Sequence, residues 1–284
     1  MTHSIPLSPS TFISLSSGRA FGMTDVGLVR KSNEDNFLID AALGLVLVTD
    51  GMGGHKSGDI ASAEAALAIQ AFLANKASHK SPPFPTADAS VTIRYSPPSD
   101  PDATISDDTL QTIMSLFDAI EFANSRLYAQ NITNNMADGS GMGTTLTGFW
   151  QPNTSGAMAV FHVGDSRLYR YRDTELTQLT RDHTLYQQAL DDGKFENLPS
   201  RNQLLQAIGP LERVKPEITP QRANPNDLFL LCSDGLHGCA PHGLIAEILS
   251  KTNKNNLDKA CAALIASAKE YGSRDNITVV LVAF

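Results

Sequence analysis

The chain has 284 residues, 42% apolar and 18% charged, with 22 Lys and Arg against 30 Asp and Glu. This balance excludes wholesale disorder, and a net charge of -8 argues against sequence-independent nucleic-acid binding, which needs clustered cations. No apolar run approaches a membrane span, and the first nineteen residues lack the cationic and apolar regions of a secretory leader, so a cytoplasmic protein is expected. Cys232, Cys239 and Cys261 are odd in number and show no Cys-x-x-Cys pair, which predicts free thiols rather than a disulfide framework or a zinc site.

In chain order, short strands are expected from Gly18 to Asp50. Gly44–Asp50 is apolar enough to be buried on both faces. Ser57 to Phe72 reads as a helix. The stretch from Ser78 to Asp107 holds Pro82, Pro83, Pro85, Pro97, Pro98 and Pro101, and is expected to be a surface insertion, since proline resists both helix and central strand. A helix follows over Asp108–Asn131, with Leu110, Ile113, Met114, Phe117, Ile120 and Leu127 as its apolar stripe. Strands are predicted at Thr144–Trp150, Ala157–Val163 and Arg167–Arg172, and short helices at Thr184–Asp191 and Asn202–Ala207. Asp227–Asp234 reads as another buried strand. Helices at His242–Leu249 and Leu257–Tyr271 come next, the latter stopped by Gly272, and Ile277–Phe284 closes the chain as a strand. This order suggests two packed sheets flanked by helices.

The informative feature is where the aspartates fall. Val46-Leu-Val-Thr-Asp50-Gly51 and Leu230-Leu-Cys-Ser-Asp234-Gly235 are near copies, each an apolar strand that delivers an Asp and then a Gly. Phe161-His-Val-Gly-Asp165 repeats the pattern without the glycine, and Asp275 directly precedes the last strand. A single Asp-Gly is ordinary turn chemistry. Several at strand ends would converge at one sheet edge, where uncompensated carboxylates raise one another's pKa. A hard divalent cation removes that conflict, because Mg²⁺ and Mn²⁺ take oxygen ligands. The glycines of Asp50-Gly-Met-Gly-Gly-His-Lys-Ser-Gly58 match neither the P-loop nor the dinucleotide fingerprint. Arg30-Lys-Ser-Asn-Glu34-Asp35, taken locally, reads as a solvated charged loop. Nothing resembles a nucleophilic Ser or Cys motif.

Five blocks in order resemble the bacterial branch of the metal-dependent PPM (type 2C) Ser/Thr protein phosphatases. They are Arg30…Asn33-Glu34-Asp35, Asp50-Gly-Met-Gly-Gly-His55, Gly141-Met-Gly-Thr-Thr145, Val163-Gly-Asp-Ser-Arg167 with Cys232-Ser-Asp-Gly235, and Arg274-Asp-Asn-Ile-Thr278. The resemblance spans roughly Phe21 to Phe284. It implies an α+β fold, a four-layer α-β-β-α sandwich of two antiparallel sheets, forming one domain over residues 1–284. The insertion at about 78–107 and a flap at about 184–205 would be appended to it.

By the same resemblance, two Mn²⁺ or Mg²⁺ ions activate a water that attacks phosphoserine or phosphothreonine directly. Asp50 would bridge the ions, with Asp234 and Asp275 completing the first site. The Gly51 carbonyl would ligate the second ion, and Glu34 and Asp35 would hold its waters. Asp138 with Asp234 would hold a weaker third ion. Arg30 would bind the phosphate, while Asp165 and Asn276 would support the site from behind. Met52 stands where animal members carry a histidine, which leaves the leaving-group acid unassigned. The expected partners are phosphorylated proteins and an opposing bacterial Ser/Thr kinase, with no nucleic acid and no membrane, and the chain is expected to be a monomer. A small-molecule phosphoester hydrolase and a catalytically inactive regulatory relative are the competing readings; the intact Asp50, Asp234 and Asp275 count against the latter.

Overall fold

A computed structural model describes residues 6–53, 57–78, 106–136, 139–152 and 157–284. Most of the Pro-rich stretch, His55 and Asp138 therefore lie outside the described residues.

The chain opens with strands β1 (Ile13–Leu15), β2 (Gly18–Asp25), β3 (Asp35–Asp40) and β4 (Leu45–Met52), then helices α1 (Gly58–Ser78) and α2 (Asp107–Thr133). Strands β5 (Gly143–Thr144), β6 (Leu146–Trp150), β7 (Met158–Val163), β8 (Arg167–Arg172) and β9 (Glu175–Gln178) follow, then helix α3 (Leu185–Asp191) and strand β10 (Glu217–Gln221). The last part holds β11 (Leu228–Cys232), α4 (Asp234–His237), α5 (His242–Ser250), α6 (Leu257–Glu270) and β12 (Ile277–Ala283). One sheet runs β1-β2-β12-β11-β8-β9 and the other β10-β7-β6-β4-β3, with β5 paired to β4 off that path. All pairings are antiparallel.

Strand periodicity sorts the side chains into layers. In β4, Leu45 and Leu47 face α1 and α2, whereas Val46 and Val48 face the second sheet. Phe149 and Val160 come from the same sheet, and meet Phe229, Leu231, Val280 and Val282 from the other. Leu230, Val279 and Leu281 point outward, against Leu257, Cys261, Leu264 and Ile265 of α6. The four-layer α-β-β-α order is thus written in alternate residues.

The helix ends follow local chemistry. Ser106 accepts from the Thr109 amide at the start of α2, and Thr184 does the same for Gln187 before α3. After α6, Gly272 has φ of +83°. There the Gly272 and Ser273 amides donate back to Lys269 and Ala268, a Schellman stop.

Three expectations need correction. Asn202–Ala207 is not helical. The Leu185 amide donates to the Gln203 carbonyl and the Leu205 amide to the His183 carbonyl, so this stretch is laddered onto the start of α3. Leu110 and Met114 are exposed on α2; its buried face is centred on Ile113, Leu116, Phe117, Ile120, Ala123 and Leu127. Strands β1, β9 and β10, absent from the sequence reading, are edge strands, β1 and β9 closing one sheet and β10 one side of the other.

All three cysteines are free. Among the described residues, no helix is long and apolar enough to cross a membrane.

Candidate metal centre

The layer between the sheets changes character at one end. Continuing the inward face of β4 past Val46 and Val48 gives Asp50, and extending Phe37 and Ile39 back along β3 gives Asp35. On the opposing sheet the same step gives Ser233 after β11 and Thr278 at the start of β12. Ser233 Oγ and Thr278 Oγ1 both donate to Asp35 Oδ2, at 2.8 and 2.7 Å. Asp35 is only 2% exposed. Its Oδ2 is committed to joining the sheets, a task its place beside Glu34 in a charged run did not reveal.

Asp50 is positioned by its backbone. Its amide donates to Thr145 Oγ1 at 2.9 Å, and its carbonyl accepts from the Thr145 amide and from Thr144 Oγ1. Thr145 Oγ1 pairs in turn with Ser166 Oγ at 2.7 Å. Two of the sequence blocks therefore act as a clamp on the strand end that carries Asp50. Gly51 follows at a crowded point: a Cβ there would overlap the Gly58 carbonyl, and one on Gly58 would overlap the Glu34 carboxylate. Only glycine lets these three segments meet.

Asp234 opens α4 and lies within hydrogen-bonding reach of Asp50. Asp275 precedes β12. Arg30 Nη2 donates to Asp275 Oδ2 at 2.7 Å. Asn276 is buried and ties three points of the loop carrying Arg30. Its Oδ1 accepts from the Glu34 amide, and its Nδ2 donates to the Val26 and Ser32 carbonyls. Asp165 lies between β7 and β8, and its carbonyl meets His237 Nε2 at 2.9 Å. The structure thus gathers Arg30, Glu34, Asp35, Asp50, Gly51, Asp165, Asp234, Asp275 and Asn276 at one end of the sandwich.

The electrostatics of this cluster are unfavourable as it stands. Burial, then the neighbouring charges of Asp35, Asp234, Asp165 and Asp275, hold the Asp50 carboxyl well above the usual range. Burial and Asp275 push Asp234 up to about 6, against the hydrogen bond with Asp50. Burial and Asp234 push Asp165 up to about 8. Burial takes Asp35 to about 7 despite its two hydroxyl donors. Asp234 Oδ1 is buried with no hydrogen-bond partner. An orphaned carboxylate oxygen among acidic neighbours fits a cation. Among the described residues, no three His, Cys, Asp or Glu side chains enclose an ion by themselves.

Behind the site, Arg167 donates twice to Asp182, at 2.8 and 2.7 Å, and once to Tyr169. This buried fork fixes the segment that leads into α3.

A family model described as Protein phosphatase 2C matches residues 30–281. The Serine/threonine phosphatase stp of Listeria monocytogenes is 33% identical over 267 residues, covering 91% of this chain and 93% of the relative. The Mycobacterium tuberculosis serine/threonine phosphatase PstP/Ppp superposes with a TM-score of 0.72 at 30% identity, over 94% of this chain and 98% of that one. A structure of the PstP catalytic domain in complex with two manganese ions gives a TM-score of 0.70, also at 30% identity, covering 94% of this chain and 98% of that chain. The chain belongs to the protein phosphatase 2C family of bacterial, metal-dependent Ser/Thr protein phosphatases. It is an enzyme whose substrates are phosphoproteins.

Proposed function

We propose that the acidic end of the sandwich is the catalytic centre, with each residue in the role set out above. Asp50 would bridge two ions, Asp234 and Asp275 would complete the first site, and the Gly51 carbonyl with Glu34 and Asp35 would serve the second. The observation that carries this reading is Asp234 Oδ1, buried and unpartnered within reach of Asp50. Mn²⁺ or Mg²⁺ held there supplies Lewis acidity and water activation at neutral pH.

The chain's own residues do the rest. Arg30, fixed by Asn276 through its loop, binds the phosphate with a planar fork of donors. Ser233, Thr278, Thr145 and Ser166 keep Asp35 and Asp50 from moving, so the carboxylates are oriented before substrate arrives. Asp165 supports Asp234 from behind. Asp138 would share a weaker third ion with Asp234. The stretch from about 184 to 205, a capped helix laddered onto its own return, would be a substrate-selecting flap on a single domain. A Ser/Thr kinase in the same reducing compartment, the cytoplasm, would supply the phosphoproteins, and the enzyme would act as a monomer.

The test is hydrolysis of phosphothreonine and phosphotyrosine peptides and of nucleotides, with and without Mn²⁺, alongside metal titration by calorimetry. Mn²⁺-dependent turnover of phosphothreonine peptides is expected, with about two tight ions per chain. Turnover unaffected by chelation, or binding of no ion, would remove the assignment.

A further inference from the structure

The turn before Arg30 presents two large aliphatic side chains to water. Leu28 is 67% exposed and Val29 52%. They lie one and two residues from the guanidinium that meets Asp275. Isolated surface leucines need no explanation, but this pair sits on a turn that is pinned on every side. The Gly27 amide donates to Asp25 Oδ1 at 2.8 Å, and Asp25 also holds Lys269. Gly27 has φ of +76° and lies so close to the Asp275 carbonyl that a Cβ would overlap it. Asn276 Nδ2 grips the carbonyls of Val26 and Ser32, on either side of the exposed pair. The turn is therefore built against the backbone of Asp275, and its anchored backbone carries Leu28 and Val29 directly before Arg30.

We infer that Leu28 and Val29 form an apolar landing for a substrate side chain adjacent to the phosphorylated residue. The inference rests on the assignment of Arg30 to the phosphate. The occupant follows from continuity with the site. The turn lies against the Asp275 carbonyl and Arg30 at its end meets the Asp275 carboxylate, so a phosphopeptide whose phosphate reaches Arg30 has its neighbouring residues running past this turn. An apolar neighbour gains by leaving water against Leu28 and Val29; a polar one gains nothing there. A prearranged surface captures that gain without ordering costs on the enzyme side. Leu28 and Val29 are thus specificity residues that touch the substrate away from the reacting atoms.

The experiment compares phosphothreonine peptides carrying Leu or Val beside the phosphorylated residue with matched peptides carrying Ser or Asn. A small aryl phosphate is the control. Wild-type enzyme is expected to favour the apolar peptides by about tenfold in kcat/KM, mainly through KM. Leu28→Ser with Val29→Thr should erase that preference and leave aryl phosphate hydrolysis within about twofold. Val29→Thr alone, nearly isosteric, should weaken the preference even if the double variant folds poorly. No preference in wild type, or a preference that survives these changes, overturns the inference. So does a variant that alters only self-association in sedimentation, which would make the turn a contact between copies. Arg30→Ala on the aryl phosphate separates the two readings: an unchanged KM there removes the phosphate assignment, whatever the peptides show.

Discussion

Asp35 and Asp50 stand directly opposite each other across the β3–β4 ladder, and both send their carboxylates towards the other sheet. Asp35 is met there by two hydroxyl donors, from Ser233 and Thr278; Asp50 is met by another acid, Asp234. Opposed residues on one strand pair thus meet different company, one joining the sheets through hydroxyls and the other facing an acid.

Stability should depend on pH in a direction set by this cluster. Asp35, Asp165 and Asp234 are raised to about 7, 8 and 6, so the folded chain keeps protons that an unfolded carboxylate releases near pH 4. Above that point the folded state binds more protons, and its stability falls as pH rises towards 8. Chelator-treated protein should melt at a lower temperature at pH 8 than at pH 5. Mn²⁺ should offset the loss by binding the folded state. A melting temperature that rises with pH in chelator would refute this. Thr278→Val, which removes one donor to Asp35, should cost about 1–3 kcal/mol.

Asp50→Asn should abolish turnover while the fold survives. The substitution removes the charge that both ions are proposed to share. It also relieves repulsion, so the chelated variant should be no less stable than wild type. Metal titration and thermal melts together check this; near-normal turnover at moderate Mn²⁺ would show the site to be elsewhere.

Arg30→Ala should raise KM more than it lowers kcat, because alanine leaves the phosphate charge unmatched. Steady-state kinetics on a small aryl phosphate is the measurement.

Replacing Ser81–Asp102 with a short Gly/Ser linker should preserve hydrolysis of a small aryl phosphate. Helices α1 and α2 pack against each other on one face of the sheet, and loop-closure cost changes slowly with length. Joint loss of folding and activity would count against dispensability; selective loss on a protein substrate would make the segment a recognition element.

Asp138→Ala should leave two tightly bound ions and sharply lower turnover on phosphopeptides, as expected for a weak site with few charged ligands. Metal stoichiometry measured beside kcat decides. Full turnover would make Asp138 a turn residue, and loss of every ion would place it in the core site.

The strand-to-Asp-Gly pattern exposed Asp50 and Asp234, because an apolar run ending in an acid is visible in one dimension. The support around them was not visible in local pattern: Asn276 was named only through the family resemblance, and Thr145 and Ser233 stood in its blocks without a role. They are small polar residues whose partners lie far away in sequence, so no local period announces them. Pro220 disguised β10, since proline is tolerated in a sheet only at an edge, and β10 is an edge. The six residues from Asn202 to Ala207 carried a helical pattern but are too few to hold a helix alone, and pairing with the segment around His183 wins.

Asp50 hangs from one sheet, Asp234 and Asp275 from the other, and the aromatic layer of Phe149 and Phe229, with ring centroids 5.7 Å apart, sets the distance between them. The acidic end is therefore the jaw of a clamp whose gap is fixed by packing well away from it. A core substitution that thickens or thins that layer, such as Phe149→Leu, would alter the spacing of the acids without touching any of them. Loss of metal affinity in such a variant, with the carboxylates intact, would be a fault in the hinge rather than in the teeth.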